Sequence, residues 1–332
     1  MLTSNNTTQS EYPYDVPIHL AIEPKGISLF TPPKGMARRL NTGKTFYFMF
    51  VRNPYTRVLS AYIDKLVAPN PYYWKQFGSK AIAKYRVTSS PQSYDNETTL
   101  IKYKKEKHNE ERGHDVTFTE FLKWVVQCEN TLSMPDPHIA SVMKICKPCS
   151  SNISFVGKME SFEDDAFFVM NKLDMNKSTQ SLEKTFKNKT IDDAIIDSIV
   201  SPFQWKKEIV QQISWASALQ RIWLKLQLRG IIDFDQKLNL TPHQVVALTQ
   251  QEFIHMAREA HKRAEPKRLR KQKAEVAAEA FRRVPLTDLE AFKKTFMEDF
   301  ILFGYESTPE VYFNRDNEFK TPLKYFNPDI LK

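Results

Sequence analysis

Glycine and cysteine are scarce in this chain, and it has no long hydrophobic run. Only 8 of the 332 residues are glycine, and the GxGxxG fingerprint of a dinucleotide-binding site does not occur. The three cysteines, Cys128, Cys146 and Cys149, are too few, and odd in number, for a disulfide scaffold. No apolar run approaches the ~18 residues of a membrane-spanning helix, and no signal peptide is present. Taken alone, these absences predict a soluble chain.

The charge balance is basic, and the hydrophobic content is that of a folded protein. Lysine and arginine number 48 against 39 aspartates and glutamates, a net charge of +9, which suits an anionic partner such as a nucleotide, a nucleic acid, an acidic glycan or a membrane surface. A hydrophobic share of 41% is enough for one large α/β core or two smaller ones. Seven Asn-x-Ser/Thr triplets favour the secretory pathway: Asn5, Asn6, Asn96, Asn152, Asn176, Asn188 and Asn239.

The stretch from Phe46 to Leu66 organises the rest of the chain. It opens with six apolar residues, Phe46 to Val51, the pattern of a strand buried on both faces of a parallel sheet. Asn53 and Pro54 follow, and they suit the N-cap and the first position of a helix. The sequence therefore predicts a strand that leads directly into a helix.

This helix is predicted to have an apolar face and a polar face. The apolar positions are Leu59, Tyr62, Ile63 and Leu66, and the polar positions are Arg57, Ser60 and Asp64. A strand that leads into a helix N-terminus gathers free backbone N–H groups at the positive end of the helix dipole. Arg52 at the strand tip and Ser60 on the helix add a guanidinium and a hydroxyl, so the corner predicts a phosphate site. The alternative is an ordinary strand–helix corner with a surface arginine.

A second strand–turn–helix unit is predicted further along. Thr117 to Glu120 has the pattern of a capping box, so a helix should run from Phe118 to about Cys128. Ile153 to Gly157 then forms a short strand, and Ser161 can cap a helix. The inner face of that helix would comprise Ala166, Val169, Met170 and Leu173. If the two strands are parallel, Arg52, Ser60, Lys158 and Glu160 would share one carboxyl edge of the sheet.

Residues 190 to 290 are predicted to be helical. Trp215, Leu219, Ile222 and Trp223 recur at helical spacing before a C-cap at Gly230. Thr241 and Pro242 start a further helix that is apolar at Val245, Leu248, Met256 and Ala260. The basic run Lys262–Lys273 is predicted to be a solvated helix and turn, with a patch facing an anionic glycan or a membrane as the alternative.

The motif Arg52-x-Pro-Tyr-x-Arg57-x-x-Ser60-Ala-Tyr resembles the 3′-phosphate-binding motif of Golgi carbohydrate sulfotransferases of the chondroitin/dermatan and glucuronyl type. Four further patterns follow in that family's order: Asp136-x-His138, Cys146-x-Pro-Cys149, Val156-Gly-Lys-x-Glu160, and Asp299-Phe300 with Gly304-Tyr305. The resemblance covers roughly residues 45 to 190 and 290 to 306. It implies an α/β, P-loop-like sulfotransferase fold, with a parallel central sheet flanked by helices and a helical insertion. The corresponding regions are an irregular lead-in (1–44), a sulfotransferase domain (45–306, partly insertion at about 190–290) and a C-terminal tail (307–332).

The resemblance also implies a reaction and roles for particular residues. Sulfate would move from 3′-phosphoadenosine 5′-phosphosulfate (PAPS) to a hydroxyl of an acidic glycan or proteoglycan, on the luminal side of the Golgi membrane, with no metal and no nucleic acid involved. Arg52 and Ser60 would hold the 3′-phosphate. Arg57 would support the same phosphate or form a salt bridge with Asp64. His138 would act as general base or orient the acceptor, with Glu160 as the other candidate base.

Two family elements are not found in this sequence. One is the Lys-bearing 5′-phosphosulfate loop, because Lys25, Lys34 and Lys44 all lack a strand before and a helix after them. The other is the N-terminal membrane anchor. Both absences would suit a chain that starts late, so the alternative function is a non-catalytic, truncated protein that binds an acidic glycan or a nucleotide. The segment 43–45 is not a nucleotide-binding P-loop, because Arg38 stands where that loop needs glycine.

The cysteines leave two further alternatives open. Cys128, His138, Cys146 and Cys149 could make a four-ligand zinc site, although their spacing is irregular. In an oxidising compartment a disulfide is expected instead, either between Cys146 and Cys149 or between one of them and a cysteine missing upstream.

Overall fold

The computed structural model describes residues 46–86, 112–132, 135–150, 153–174, 186–314 and 324–326. The chain divides into two compact units, one formed by Met1–Val51 with Lys147–Asp193 and the other by Arg52–Cys146 with Ala194–Lys332. The predicted lead-in and the lysines at 25, 34 and 44 lie outside the described residues, as does most of the predicted tail.

The described part of the chain is rich in helix. Its strands are β1 (Phe48–Val51) and β2 (Phe155–Lys158). Its helices are α1 (Pro54–Tyr62), α2 (Pro71–Tyr73), α3 (Ser79–Tyr85), α4 (Phe118–Thr131), α5 (Val142–Cys146), α6 (Phe162–Lys172), α7 (Phe186–Gln204), α8 (Lys206–Ile209), α9 (Trp215–Leu228), α10 (Pro242–Ala247), α11 (Gln250–Lys262), α12 (Pro266–Arg282), α13 (Leu286–Thr295), α14 (Met297–Leu302) and α15 (Glu310–Phe313). Among these described residues, no helix combines the length and the apolar composition that a membrane crossing requires.

The two strands pair in parallel, as the resemblance implies, with Phe48 opposite Phe155 and Val51 opposite Lys158. Gly157 is needed at this pairing, because a Cβ atom there would lie 2.6 Å from the ring of Phe50. The prediction of a strand from Phe46 that is buried on both faces is wrong. The strand begins at Phe48, whose side chain is 41% exposed, because the described sheet has two strands and leaves that side chain uncovered.

The helix after β2 differs from its prediction at both ends. It begins at Phe162, but the Ser161 hydroxyl donates to the Asp165 carboxylate (2.7 Å) and makes no capping hydrogen bond. Leu173 lies beyond the last helical residue and is exposed, whereas Val169 is buried as predicted.

Helix α1 begins where the sequence predicts. The Asn53 side chain accepts a hydrogen bond from the Tyr55 N–H (2.9 Å), and Pro54 takes the first helical position. The four apolar positions of the predicted inner face are all buried: Leu59, Tyr62, Ile63 and Leu66. Tyr55 is buried among the rings of Phe281, Phe292 and Phe300, which holds the helix in the aromatic core of the larger unit.

The segment from Tyr72 to Arg86 is packed into the larger unit. It comprises the end of α2, a π-helical turn at Trp74–Gly78 and helix α3, and it buries Trp74, Ala81 and Ile82. The Trp74 indole N–H donates to the Leu66 carbonyl (2.9 Å), which ties this segment to the end of the α1 region. The predicted capping box at Thr117 and Glu120 is confirmed, and helix α4 continues to Thr131.

The helical character of residues 190–290 is confirmed. Gly230 follows α9 with a φ of +70°, the left-handed conformation that suits glycine after a helix. The helix predicted from Thr241 is in fact two helices, since Thr249 and Glu252 form a second capping box that starts α11. The basic run Lys262–Lys273 covers the end of α11 and the first part of α12 and is largely exposed.

Candidate functional site

The four predicted site residues lie together in the larger unit. Arg52, Arg57, Ser60 and His138 all line one pocket of about 290 Å³. The remaining lining residues are Ala61, Asp64, Lys65, Asp197 and Arg229. The four residues that the sequence predicts to form the site are therefore close together in space.

Helix α1 and the turn after it form one wall of this pocket. Arg57, Ser60 and Asp64 recur at helical spacing on the polar face, and all three face the pocket. The π-helical turn Ile63–Val67 follows, and Lys65 from this wider turn also lines the pocket. The pocket therefore runs along the flank of the helix. At the helix end, the N–H of Tyr55 is already hydrogen-bonded by Asn53.

Arg57 is partnered by Asp299, which corrects the predicted alternative of a salt bridge with Asp64. Its Nη2 lies 3.4 Å from Asp299 Oδ2, and its Nη1 donates to the carbonyl of Ala140. Burial lowers the pKa of the Arg57 guanidinium, and the charge of Asp299 opposes that shift. Arg57 Nε is buried and has no hydrogen-bond partner within the described residues. Arg57 lines the pocket, but this nitrogen is shielded from it by burial.

Asp64 instead pairs with two lysines. Its carboxylate lies 2.6 Å from Lys225 Nζ and 2.9 Å from Lys65 Nζ. Burial opposes ionisation of this carboxyl, but the charge of Lys225 and the hydrogen bonds from both lysines outweigh it and hold the pKa of Asp64 below its ordinary value. The negative charge that Asp64 brings to the pocket is therefore compensated locally.

Arg52 lies just before the N-terminus of helix α1. Its Nε donates to Thr56 Oγ1 (3.1 Å), and the Thr56 hydroxyl donates to the Asn53 carbonyl (3.2 Å). This chain of contacts orients the guanidinium beside the first helical turn.

Arg229 closes the far side of the pocket. It donates to Ser198 Oγ (2.9 Å) and lies 3.9 Å from Asp197 Oδ2, both on helix α7. The charged residues that line the pocket are the cations Arg52, Arg57, Lys65 and Arg229 and the anions Asp64 and Asp197. The excess of cations suits an anionic ligand.

His138 is oriented by the residue two positions before it. Asp136 Oδ1 accepts from the His138 backbone N–H (2.9 Å) and lies 2.7 Å from the ring Nδ1. The Tyr73 hydroxyl lies 3.2 Å from the same nitrogen. An ionised carboxylate only accepts hydrogen bonds, so this contact assigns the proton to Nδ1 and leaves the lone pair on Nε2. The ring is 45% exposed and can meet a ligand.

The other predicted candidates are placed as follows. Glu160 is exposed in the 3₁₀ turn Met159–Ser161 of the smaller unit. All three cysteines are free thiols, with Cys128 buried and Cys146 and Cys149 exposed. Across the described ranges, no three His, Cys, Asp or Glu side chains are grouped as metal ligands. The described residues therefore show neither the four-ligand zinc arrangement nor a disulfide between Cys146 and Cys149.

Sequence reasoning missed several residues of the site. Asp197 on α7 and Arg229, which directly follows α9, lie far along the chain, and no local pattern marks them as neighbours of Arg52. Lys225 belongs to the apolar helix α9 and is buried, which conceals its role as partner of Asp64. Asp299 stands in the C-terminal pattern that the resemblance pointed to, but that pattern does not reveal its contact with Arg57.

Comparison with known proteins identifies relatives for a large part of this chain. The family model described as "Sulfotransferase family" matches residues 21–226, more than half of the chain. Carbohydrate sulfotransferase 8 of Mus musculus is 34% identical over 137 residues, covering 41% of this chain and 28% of that protein. Carbohydrate sulfotransferase 9 of Homo sapiens is 35% identical over 137 residues (41% and 27%), and carbohydrate sulfotransferase 14 of Danio rerio is 32% identical over 142 residues (43% and 33%). The aligned part thus spans a third or less of the length of these relatives. No solved structure matches this chain.

Proposed function

This chain belongs to the sulfotransferase family, and we propose that it transfers the sulfuryl group of PAPS to a hydroxyl of a glycan or proteoglycan chain. The observation that carries the proposal is the single pocket lined by Arg52, Arg57, Ser60 and His138. The names of the relatives support a carbohydrate acceptor. The parallel pairing of β1 and β2 supports a P-loop-like sulfotransferase arrangement. The glycosylation triplets support the Golgi lumen as the compartment.

The donor groups of the pocket fit a nucleotide phosphate. Arg52 and Ser60 supply a guanidinium and a hydroxyl for the 3′-phosphate of PAPS, and Arg57 supports the same phosphate through its positive charge. Lys65 and Arg229 add positive charge. Binding the nucleotide by this phosphate positions the sulfate without direct contact to it.

In the proposed reaction His138 takes the proton of the acceptor. In the transfer, the acceptor hydroxyl oxygen bonds to sulfur while the bond from sulfur to the phosphate oxygen breaks, and adenosine 3′,5′-bisphosphate leaves with the electron pair. The hydroxyl proton passes to His138 Nε2, and Asp136 beside Nδ1 stabilises the imidazolium that forms. The positive charge of the pocket favours the leaving group as its negative charge develops.

Calorimetric titration with adenosine 3′,5′-bisphosphate tests the nucleotide site. The wild-type protein should bind it, and Arg52→Ala should weaken binding by about 10- to 100-fold, the loss expected for hydrogen bonds to a charged group. Arg270→Ala is the matched control, because Arg270 is exposed in the basic run of α12. The substitution removes the same charge as Arg52→Ala but lies outside the pocket. Equal weakening in the two variants would contradict the proposal.

Incorporation of labelled sulfate from PAPS into a chondroitin oligosaccharide then tests the chemistry. Transfer that is lost in His138→Ala, with nucleotide binding retained, supports the proposed enzyme. Nucleotide binding without any transfer by the wild-type protein would favour the non-catalytic alternative.

A further inference from the structure

A second cleft lies beside the proposed active site in the larger unit. It has a volume of about 240 Å³, and it is lined by Pro69, Asn70, Tyr72, Tyr73, Ser201 and Trp205. We propose that this cleft binds a pyranose ring of the acceptor glycan. The inference rests on the proposed function and extends it by locating the acceptor subsite.

Two exposed aromatic side chains face this cleft. Tyr72 is 58% exposed and Trp205 is 50% exposed. Single exposed apolar residues are common on protein surfaces, but here two of the largest side chains come from distant segments of sequence and line the same concavity. The face of an aromatic ring carries partial negative charge and attracts positively polarised hydrogens. The C–H groups on one face of a pyranose provide such hydrogens, and its hydroxyls point outward to solvent or to polar partners.

Tyr73 connects this cleft to the proposed active site. Tyr73 is one of the lining residues, and its hydroxyl lies 3.2 Å from Nδ1 of His138, which lines the proposed nucleotide pocket. Lys65 of that pocket places its Nζ 4.8 Å from the centre of the Tyr73 ring. A sugar in the cleft would therefore lie next to the proposed base and close to the cationic pocket.

The polar members of the cleft favour a sugar over an apolar ligand. Asn70 Oδ1 accepts a hydrogen bond from the Tyr73 N–H (3.3 Å). The side-chain NH₂ group of Asn70 can therefore donate hydrogen bonds to a ligand. Ser201 contributes an exposed hydroxyl. The volume of about 240 Å³ accommodates a single ring of a chain that continues outside. A lipid would require a deeper cleft with aliphatic walls.

Steady-state kinetics with a chondroitin hexasaccharide and PAPS tests this inference. Trp205→Ala and Tyr72→Ala should each raise the KM for the hexasaccharide about 10-fold, with the affinity for adenosine 3′,5′-bisphosphate unchanged within about twofold. Trp205→Phe should retain most of the acceptor affinity, because it keeps an aromatic face. Val246→Ala is the control, since this side chain on α10 is 79% exposed and lies outside the cleft.

Direct titration of the hexasaccharide, without PAPS, tests the acceptor cleft separately from the proposed sulfotransferase function. If the wild-type protein transfers sulfate while both alanine variants keep its acceptor KM and binding, the cleft assignment is overturned and the proposed function stands. If the wild-type protein transfers no sulfate, the direct titration still decides. Weaker hexasaccharide binding in Trp205→Ala than in Trp205→Phe supports the cleft. Equal binding by the two variants, or no binding by the wild-type protein, overturns the cleft assignment.

Discussion

Arg57 and Asp299 form an ion pair, with 3.4 Å between Nη2 and Oδ2, across 242 residues of sequence. The same carboxylate accepts the backbone N–H groups of Val142 (2.8 Å) and Met143 (3.0 Å) at the start of α5. Burial raises the pKa of Asp299, while these hydrogen bonds and the charge of Arg57 oppose that shift. One carboxylate thus joins the helix that carries Ser60 to the segment that carries His138.

Removal of this carboxylate should destabilise the protein. Asp299→Ala leaves the Arg57 guanidinium without its countercharge and two backbone N–H groups without an acceptor, so the free energy of unfolding should fall by about 3–5 kcal/mol. Urea unfolding measures the change. The control is Asp197→Ala. The Asp197 carboxylate is 44% exposed and lies 3.9 Å from Arg229, so the free energy of unfolding should fall by less than about 1 kcal/mol. Similar losses in the two variants would contradict the role assigned to Asp299.

Ser60 should discriminate between nucleotides by their 3′-phosphate. Ser60→Ala removes a hydroxyl donor, so the affinity for adenosine 3′,5′-bisphosphate should fall about 10-fold or more, while the weaker affinity for adenosine 5′-monophosphate should not change. Competition titration measures both. Ser79→Ala is the matched control, because the Ser79 hydroxyl donates to the Lys75 carbonyl (2.8 Å) away from the pocket. An equal loss for both nucleotides would place Ser60 elsewhere on the ligand.

Asp136 should act on the reaction through His138. In Asp136→Asn an amide N–H can donate to Nδ1, which favours the tautomer whose proton lies on Nε2 and removes the base. The kcat for sulfate transfer should therefore fall between about 10- and 10⁴-fold, with nucleotide affinity and melting temperature unchanged. In a His138→Ala background the same substitution should have no further effect on kcat. Additive losses in that double-mutant cycle would show that Asp136 acts independently of His138.

His114 should make the stability of the protein depend on pH. The side chain is buried against Trp74, and burial together with the charge of Arg221 lowers the pKa of His114 from 6.5 to about 4. Between these values the unfolded chain binds more protons than the folded chain. This contribution to stability is therefore complete above pH 6.5 and is lost as the pH falls toward 4, by on the order of 3 kcal/mol.

Urea unfolding of the wild-type protein and of His114→Phe at pH 5 and pH 7.5 measures this effect. The aromatic replacement can still pack on Trp74 but cannot be protonated, so the difference in unfolding free energy between the two pH values should be smaller in the variant. Identical differences would assign the pH dependence to other groups.

The local features of the site could be predicted because each depends on residues close together in sequence. The N-cap at Asn53 and the capping box at Thr117 are hydrogen bonds that span two or three positions, and the chemistry of the capping residues specifies them. The placement of Arg57 and Ser60 on one helix face follows from the helical repeat. The prediction that Arg57 pairs with Asp64 is wrong because the actual partners come from distant parts of the chain. A same-helix carboxylate is the obvious neighbour in sequence, but Asp64 is held by Lys225 from α9.

The sequence by itself determined the start of helix α1 and the polar face that carries Arg57, Ser60 and Asp64. Tertiary structure alone decided that Arg57 pairs with Asp299, that Arg229 reaches the same pocket, and that Trp205 and Tyr72 line one cleft. The physical reason is range. Backbone hydrogen bonding and helical periodicity act over a few residues, whereas ion pairs and clefts depend on which distant segments the packing of the buried aromatic core brings together.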